Sequence, residues 1–460
     1  MLIFAIYTAK NFPYTYITME GDDFWVLTTD FWHLKLADTP AVATWLADYL
    51  MQFYCSPYIA AYIEALMLGA IGIAPLLLIR GRGKKASPWG GLVGVALFII
   101  LGFYCTFRLS FHLQCLFFFI LLLVYQLIPG FKLKFLWSLL CIPVGFMLMK
   151  TPLLAILLVA QAAMAYKDLG IKKCICWVVP AVMLVFAPLT YSNRVAFIPF
   201  EQRYMDWGTK FEPLTSRYNQ GGEYIKKMAC LASEGRWEEL LYKAHAKTEA
   251  RKGNAVALRY ALLAESALGT LPDNLLDYPI NDENLFLFPH QTEYVALQFN
   301  RLFYLNLGIY DEAYHHAQEY GLQQPNGTSF SSLRQMIDYS IEEGDFEIAD
   351  KFLHILSKSS CHKKFIKERQ ERMEAAKETF NKDILLRADN FVGGYPLPIE
   401  MLRLARYYVD SPHRKQMVDY ALCSYLIRGD IQSFAIALQA FDFYKDKPLP
   451  KAYSLFLNNP

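Results

Sequence analysis

The residues with the clearest chemical potential are charged side chains that interrupt or flank apolar stretches. Glu64 lies inside the apolar run 58–79, and Arg108 and His112 lie at the start of the run 110–128. An ionisable side chain inside a bilayer is costly and usually faces the protein interior or water. Two interpretations follow: an ion pair between Glu64 and Arg108 that locks a helix bundle, or an outer-leaflet pocket in which Arg108 and His112 hold the phosphate of a polyprenyl-linked donor.

The pocket interpretation needs a catalytic group, and the acidic segment 11–57 supplies two neighbouring carboxylates. Asp22 or Asp23 would bind a divalent ion or act as the general base. In this respect the chain resembles membrane glycosyltransferases that act on lipid-linked sugars, which place an acidic residue in their first external loop. The resemblance is architectural, and it implies a transferase as the alternative function.

Other catalytic and binding motifs are absent from the sequence. It contains no His-Glu-x-x-His, no phosphate-binding glycine-rich loop with Lys-Ser/Thr, no Gly-x-Ser-x-Gly and no Cys-x-x-Cys. The nine cysteines are scattered, and the formal net charge is only +2. We therefore expect no metal centre, no cofactor and no nucleic-acid partner.

Apolar runs in the first half of the chain predict membrane-spanning helices. A helix rises about 1.5 Å per residue, so roughly 20 apolar residues cross a bilayer core of about 30 Å. Two of the runs contain only about 15 residues, which leaves open whether they are separate crossings or one broken helix. Separate crossings give a six-helix transmembrane domain with spans at residues 58–79, 89–107, 110–128, 135–149, 152–166 and 174–191.

Basic residues in the connections between these spans set the predicted orientation. The first connection has four basic residues, the third has Lys132 and Lys134, and the fifth has three lysines, whereas the second and fourth contain essentially Arg108 and Lys150 alone. Basic connections stay in the cytoplasm. Six spans therefore place residues 11–57 and the carboxyl-terminal domain outside the bacterial inner membrane. A broken helix in place of the short pair would put that domain in the cytoplasm.

Small residues four positions apart predict close packing between the membrane helices. Gly90 and Gly94 form one such pair, and Ala61, Ala65 and Gly69 form a longer series. We interpret both as packing within the chain rather than as a dimer interface.

The second half of the chain predicts a helical repeat. Amphipathic segments are separated by turns centred on Gly235, Gly269, Gly308, Gly344 and Gly429, at intervals of 34, 39, 36 and 85 residues. A period of about 34–40 residues is typical of helix–turn–helix solenoids, and residues 219–444 resemble tetratricopeptide-like (TPR-like) repeats. Such arrays bind peptides or proteins on a concave surface. The candidate surface residues are Tyr294, Arg301, Tyr304 and Arg334.

The predicted fold class is all-α, a polytopic transmembrane helix bundle followed by a TPR-like α-solenoid. The first seven residues are apolar but too short to span a membrane, and they are either an interfacial anchor or the tail of a longer helix. The predicted domains are a short apolar start with an external acidic loop, the transmembrane domain, a linker and the repeat domain, at residues 1–57, 58–191, 192–218 and 219–460.

The opening loop also carries a family resemblance. The run Phe24-Trp25-Val26-Leu27-Thr28-Thr29-Asp30-Phe31, followed by Leu50-Met51-Gln52-Phe53-Tyr54 and Pro57, resembles an uncharacterised bacterial integral membrane family. The resemblance implies several membrane spans, a helical carboxyl-terminal region and no established activity. Together these observations predict a non-enzymatic, membrane-anchored scaffold that contacts the lipid bilayer and a protein or peptide partner, with the transferase as the alternative.

Overall fold

A computed structural model describes most of the chain, and every regular element in the described residues is a helix. The described residues are 1–37, 40–80, 88–103, 108–170, 175–194, 204–206, 218–280, 286, 294–380 and 397–458. They divide into two compact units. The first comprises Met1–Glu20 with Trp25–Asn219, and the second comprises Gly21–Phe24 with Gln220–Pro460.

The first unit is built from helices that pack side by side around three apolar clusters. Short 3₁₀ turns at Gln52–Cys55 and Ile175–Trp177 precede two of the helices. In chain order the helices are α1 (Leu2–Asn11), α2 (Pro13–Gly21), α3 (Thr29–Ala37), α4 (Ala41–Met51), α5 (Pro57–Arg80), α6 (Pro88–Phe103), α7 (Leu109–Leu127), α8 (Phe131–Leu148), α9 (Thr151–Leu169) and α10 (Val178–Arg194).

Three of these helices, α5, α7 and α8, are long and apolar enough to cross a membrane. This finding fits a membrane protein. The apolar stretches Trp89–Phe103, Thr151–Tyr166 and Ile175–Thr190 are helical but shorter, so the number of crossings stays a prediction.

Both short predicted spans lie in longer helices, since α9 extends from Thr151 to Leu169 where we expected residues 152–166. We expected residues 135–149, but α8 begins at Phe131 and takes in Lys132 and Lys134, which we had placed in a connection. Lys134 is buried, with its ammonium 5.4 Å from the centre of the Tyr125 ring. Attraction between the cation and the aromatic face allows this lysine to be part of the helix.

The glycine pair in α6 packs against α5 in the same chain. A Cβ atom on Gly94 would clash with the carbonyl oxygen of Gly72, and one on Gly90 would lie 2.7 Å from Ile79 Cδ1. Only glycine lets two helix backbones come this close. The prediction of packing within the chain is therefore confirmed at these two positions.

The second unit is a series of helical hairpins. A π-helical turn at Glu239–Lys243 and 3₁₀ turns at Leu275–Asp277 and Asp442–Tyr444 lie between helices. The helices are α11 (Gln220–Ser233), α12 (Ala246–Arg251), α13 (Ala255–Ala267), α14 (Leu271–Asn274), α15 (Tyr294–Asn306), α16 (Tyr310–Leu322), α17 (Phe330–Glu343), α18 (Phe346–Leu356), α19 (Lys363–Thr379), α20 (Pro398–Tyr407), α21 (Arg414–Arg428), α22 (Ile431–Ala440) and α23 (Lys451–Asn458).

All five predicted glycine turns have the same geometry. Each glycine has a φ between 68° and 76°, the left-handed region that side chains disfavour. The amide of the next residue donates to the carbonyl five positions earlier, at 2.8–3.0 Å, and the glycine amide donates to the carbonyl three positions earlier. This is the Schellman motif, which satisfies the last carbonyls of the preceding helix. A sixth turn of this form, at Gly253, joins α12 to α13.

Polar caps begin several of these helices. The side chains of Asn254, Ser329 and Asp430 accept hydrogen bonds from backbone amides in the first turns of α13, α17 and α22. Left-handed glycines at the helix ends and caps at the helix starts therefore fix where each hairpin turns.

The last hairpin packs back onto earlier helices, so the expected open TPR-like solenoid is not confirmed. An open solenoid has contacts only between neighbouring repeats. Here α21 contacts α13 and α14, and α23 contacts α14. The Tyr420 ring lies 5.5 Å from that of Phe303, and the amide of Lys451 donates to Asp273 at 3.1 Å.

Candidate functional site

The segment Gly21–Phe24 is built into the second unit and contains both predicted catalytic aspartates. The Tyr320 hydroxyl donates a hydrogen bond to the half-buried Asp22 carboxylate. The Phe330 amide donates to the carbonyl oxygen of Asp23 at 2.8 Å, and the Phe330 ring lies 5.5 Å from that of Phe24. The segment is therefore held by its backbone, by a carboxylate and by an aromatic contact.

A fourth contact comes from the loop between α16 and α17. Asn326 Nδ2 donates to the carbonyl oxygen of Phe24 at 3.0 Å and lies 3.4 Å from a carboxylate oxygen of Asp23, which is 5% exposed. Asn326 therefore contacts both Asp23 and Phe24 of this segment.

The start of α17 is itself held rigidly. Ser329 Oγ accepts the Ser332 amide at 3.1 Å, and Ser332 Oγ donates to the carbonyl oxygen of Ala317 on α16. The Phe330 ring is fully buried and lies 4.2 Å from the ring of His362 at the start of α19. Residues of α16, α17 and the start of α19 thus position the groups that contact Gly21–Phe24.

Two residues predicted for an exposed binding surface are buried, so that prediction is wrong for them. Arg301 is 1% exposed, and its guanidinium bonds Gln335 and lies 5.2 Å from the centre of the Tyr320 ring. Tyr304 is 4% exposed and stacks on His316 at 5.3 Å. Their spacing on α15 suited a surface, but the packing of α16 and α17 covers that face.

The other two candidates for the predicted binding surface are Arg334 and Tyr294. Arg334 on α17 is half-buried. Tyr294 begins α15, and its side chain lies outside the described part of the chain. The contacts of Arg301 suggest a different role for this region, because its cation supports the tyrosine ring whose hydroxyl holds Asp22.

In the first unit, Glu64 is the centre of a buried network of tyrosines. Its carboxylate accepts hydrogen bonds from Tyr54 at 3.2 Å and from Tyr218 at 2.6 Å. The Tyr218 hydroxyl is 2.9 Å from that of Tyr16, which in turn donates to Thr8. Glu64 and the rings of Tyr16 and Tyr54 are at most 1% exposed. The network ties α1, α2, α5 and the end of the first unit together.

The remaining members of the predicted polar cluster lie in different surroundings. Arg108 is exposed at the start of α7. His112 is fully buried, and its Nε2 atom is 3.1 Å from the carbonyl oxygen of Leu101 on α6. Binding of a lipid phosphate by Arg108 and His112 stays a prediction.

An acidic cluster lies where the start of α16 meets the end of α17. Burial, a hydrogen bond with Asp311 and the charges of Asp311 and Asp345 raise the pKa of Glu343 to about 8. Nearby, the Tyr310 hydroxyl lies 3.3 Å from Nε2 of His413, and burial lowers the pKa of that histidine. Among the residues that the structure describes, no group of three or more His, Cys, Asp or Glu could hold a metal ion.

An apolar groove of about 540 Å³ lies between α20 and α22 in the second unit. Its walls carry the exposed isoleucines Ile399 and Ile436 and the exposed arginines Arg403 and Arg406. Phe441 also lines the groove. Exposed isoleucines beside arginines suit an amphipathic ligand of negative charge.

The match to a family model covers residues 1–454. The chain belongs to the Family of unknown function DUF6057. No curated protein and no solved structure matches the chain. The match confirms the predicted uncharacterised family, and it takes in both units of the fold.

The candidate residues were recognisable in the sequence, but the residues that bind them were not. Glu64 and Asp22 stood out because they are charged residues in notable positions, whereas Tyr218 and Tyr320 are ordinary tyrosines 154 and 298 residues away from them. No local pattern marks such a partner. The groove arginines carried a weak signal, since Arg403 and Arg406 are three residues apart on one helix.

Proposed function

We propose that this DUF6057 protein is a membrane-anchored helical-repeat scaffold whose second unit binds a protein or peptide partner outside the cytoplasm. The observation that carries the proposal is the position of Gly21–Phe24. This segment precedes the apolar helices in the sequence but packs within the unit that follows them.

The position of Gly21–Phe24 bears on the number of membrane crossings. A segment packed inside the second unit must be on the same side of the membrane as that unit. On this proposal, the chain between Phe24 and Gln220 crosses the membrane an even number of times. The six apolar helices α5 to α10 lie in this interval, and their number supports six crossings over the five-crossing alternative.

The charges of the connections then indicate which side this is. Basic residues lie in or beside the connections after α5, α7 and α9: residues 80–85, Lys132 and Lys134 at the start of α8, and three lysines at the end of α9 and just after it. Basic connections favour the cytoplasm, which places the second unit and Gly21–Phe24 outside the inner membrane. Apolar residues of α5 to α10 would face the lipid bilayer.

The hairpin architecture supports a role in binding rather than in chemistry. Arrays of helical hairpins offer extended surfaces to partner proteins, and the recurring Schellman turns supply the hairpins here. The groove between α20 and α22 is a candidate binding surface on this unit. The aspartates that the transferase hypothesis needs are engaged in holding Gly21–Phe24, which favours a structural role for them.

Photo-crosslinking in intact cells tests the scaffold proposal. A photoreactive amino acid at the exposed positions Tyr242, Leu322 and Ile436 of the second unit samples three sites. The same residue at Leu27, which is exposed in the first unit, is the control. We expect at least one second-unit position to give a discrete adduct with a protein that mass spectrometry identifies, and Leu27 not to give that adduct. Absence of adducts from all three positions would contradict the proposal.

A further inference from the structure

The groove between α20 and α22 is lined by two short helices of equal length. Each of the two helices has ten residues, which corresponds to a length of about 15 Å. Ile399 on one wall is 64% exposed and Ile436 on the other is 70% exposed. Large apolar side chains that face each other across an open groove are typical of sites that bind an amphipathic helix.

The charge of the groove is positive. Arg403 and Arg406 lie one turn apart on α20, and neither forms an ion pair or a hydrogen bond with another described residue. The exposed cations of α19 differ, since Lys364 and Lys367 pair with acidic residues four positions later. The acidic residue of the groove, Glu400, accepts a hydrogen bond from the Leu397 amide at 3.3 Å and so belongs to the helix start.

We propose that this groove binds an acidic amphipathic helix of a protein partner. The apolar face of that helix would pack between Ile399 and Ile436, and carboxylates three or four residues apart would pair with Arg403 and Arg406. Charge complementarity selects an acidic partner, because Arg403 and Arg406 both line the groove. The inference rests on the proposed scaffold function and identifies the chemistry of its partner.

Fluorescence anisotropy with a synthetic peptide tests this inference on the full chain in detergent. The probe is a labelled helix of about 14 residues, long enough to fill the groove, with leucines at i, i+3, i+4 and i+7 and glutamates flanking them. A second peptide has lysine in place of each glutamate. We expect the glutamate peptide to bind more tightly than the lysine peptide.

Charge reversal in the groove is the decisive variant. The double substitution Arg403→Glu and Arg406→Glu should weaken binding of the glutamate peptide about tenfold, since two attractive contacts become repulsive. The same variant should bind the lysine peptide more tightly than the native chain does, a gain that unfolding cannot produce. Lys351→Glu, an exposed cation on α18 outside the groove, is the matched control and should change binding less than twofold.

Three results with the peptides would overturn the inference. They are equal binding of the two peptides, no response to the double reversal, or loss of binding without any gain for the lysine peptide. Binding of anionic phospholipid vesicles through the same arginines, with neither peptide bound, would assign the groove to a membrane surface and also overturn it. A partner crosslinked from Tyr242 or Leu322 but unaffected by the reversal would leave the scaffold proposal standing while the groove inference fails.

Discussion

Removal of one hydroxyl group should loosen the attachment of Gly21–Phe24 to the second unit. Tyr320→Phe deletes the donor that reaches the Asp22 carboxylate and leaves the ring, which is 1% exposed, in place. A hydrogen bond to a charged group contributes about 1.5–3 kcal/mol, and the half-buried position of Asp22 lowers the expected cost to about 2 kcal/mol. A change of this size raises the equilibrium constant for local opening about 30-fold.

Tyr260→Phe is the matched control for this substitution. Tyr260 lies in the same unit and is also fully buried, and its hydroxyl has no hydrogen-bond partner among the described residues. Loss of an unsatisfied buried hydroxyl should be neutral or slightly stabilising. The two substitutions therefore remove the same atom at equal burial and differ in whether a hydrogen bond is lost.

Amide hydrogen exchange of the full chain in detergent measures the difference. We expect Tyr320→Phe to accelerate exchange in residues 21–24 and 326–332, where the Phe330 amide bonds the carbonyl oxygen of Asp23. In a double-mutant cycle, Asp22→Asn should add little to Tyr320→Phe. Equal exchange in the two tyrosine variants, or full additivity with Asp22→Asn, would refute the role assigned to this hydrogen bond.

Three further predictions follow from burial and packing. Glu343→Gln should stabilise the second unit increasingly as the pH rises from about 4.5 to 8, because the native carboxyl with its pKa of about 8 keeps a proton that the unfolded chain releases. After allowance for partial exposure, the gain in the free energy of unfolding is about 1–2 kcal/mol. Denaturant melts over this range that show no pH trend would contradict this prediction. Gly94→Ala should destabilise the detergent-solubilised chain by about 1–3 kcal/mol, since its Cβ meets a backbone carbonyl of α5. Gly91→Ala makes only an ordinary contact and should be nearly neutral by thermal melting. Equal melting temperatures of the two variants would contradict the close packing of α6 on α5. Asp419→Asn should lower the free energy of unfolding by about 2–4 kcal/mol and expose the end of the chain to limited proteolysis. The reason is that the buried Asp419 carboxylate accepts hydrogen bonds from Lys415, Tyr444 and Tyr453. Asp446→Asn, at an exposed position, is the control, and identical cleavage of the two variants would contradict this prediction.

Local features of the fold were predictable from the sequence. The five glycines were recognisable because a left-handed helix end needs glycine, a requirement set by a few consecutive residues. The apolar runs predicted helices for the same reason, since an apolar stretch and its length can be read directly. The start of α8 was missed because burial of Lys134 depends on the Tyr125 ring of another helix.

Long-range contacts account for the rest of the differences. The spacing of Arg301 and Tyr304 on α15 does not reveal that α16 and α17 cover them. In the same way, the 85-residue interval from Gly344 to Gly429 suggested a continuing array, whereas α21 packs back against α13 and α14. The contacts of α21 join parts of the chain more than 100 residues apart, and those of Arg301 and Tyr304 join residues 12 to 34 apart. A single sequence contains no local signal for either.

Cysteine labelling in intact spheroplasts tests the central claim most directly. One cysteine replaces Leu27, next to the Gly21–Phe24 segment, and another replaces Leu322 in the second unit; both positions are exposed, and each is tested in a chain whose native cysteines are serine. A membrane-impermeant maleimide should label both positions without permeabilisation. Labelling of one position in intact spheroplasts and of the other only after permeabilisation would mean an odd number of crossings, and it would contradict a common side for the two.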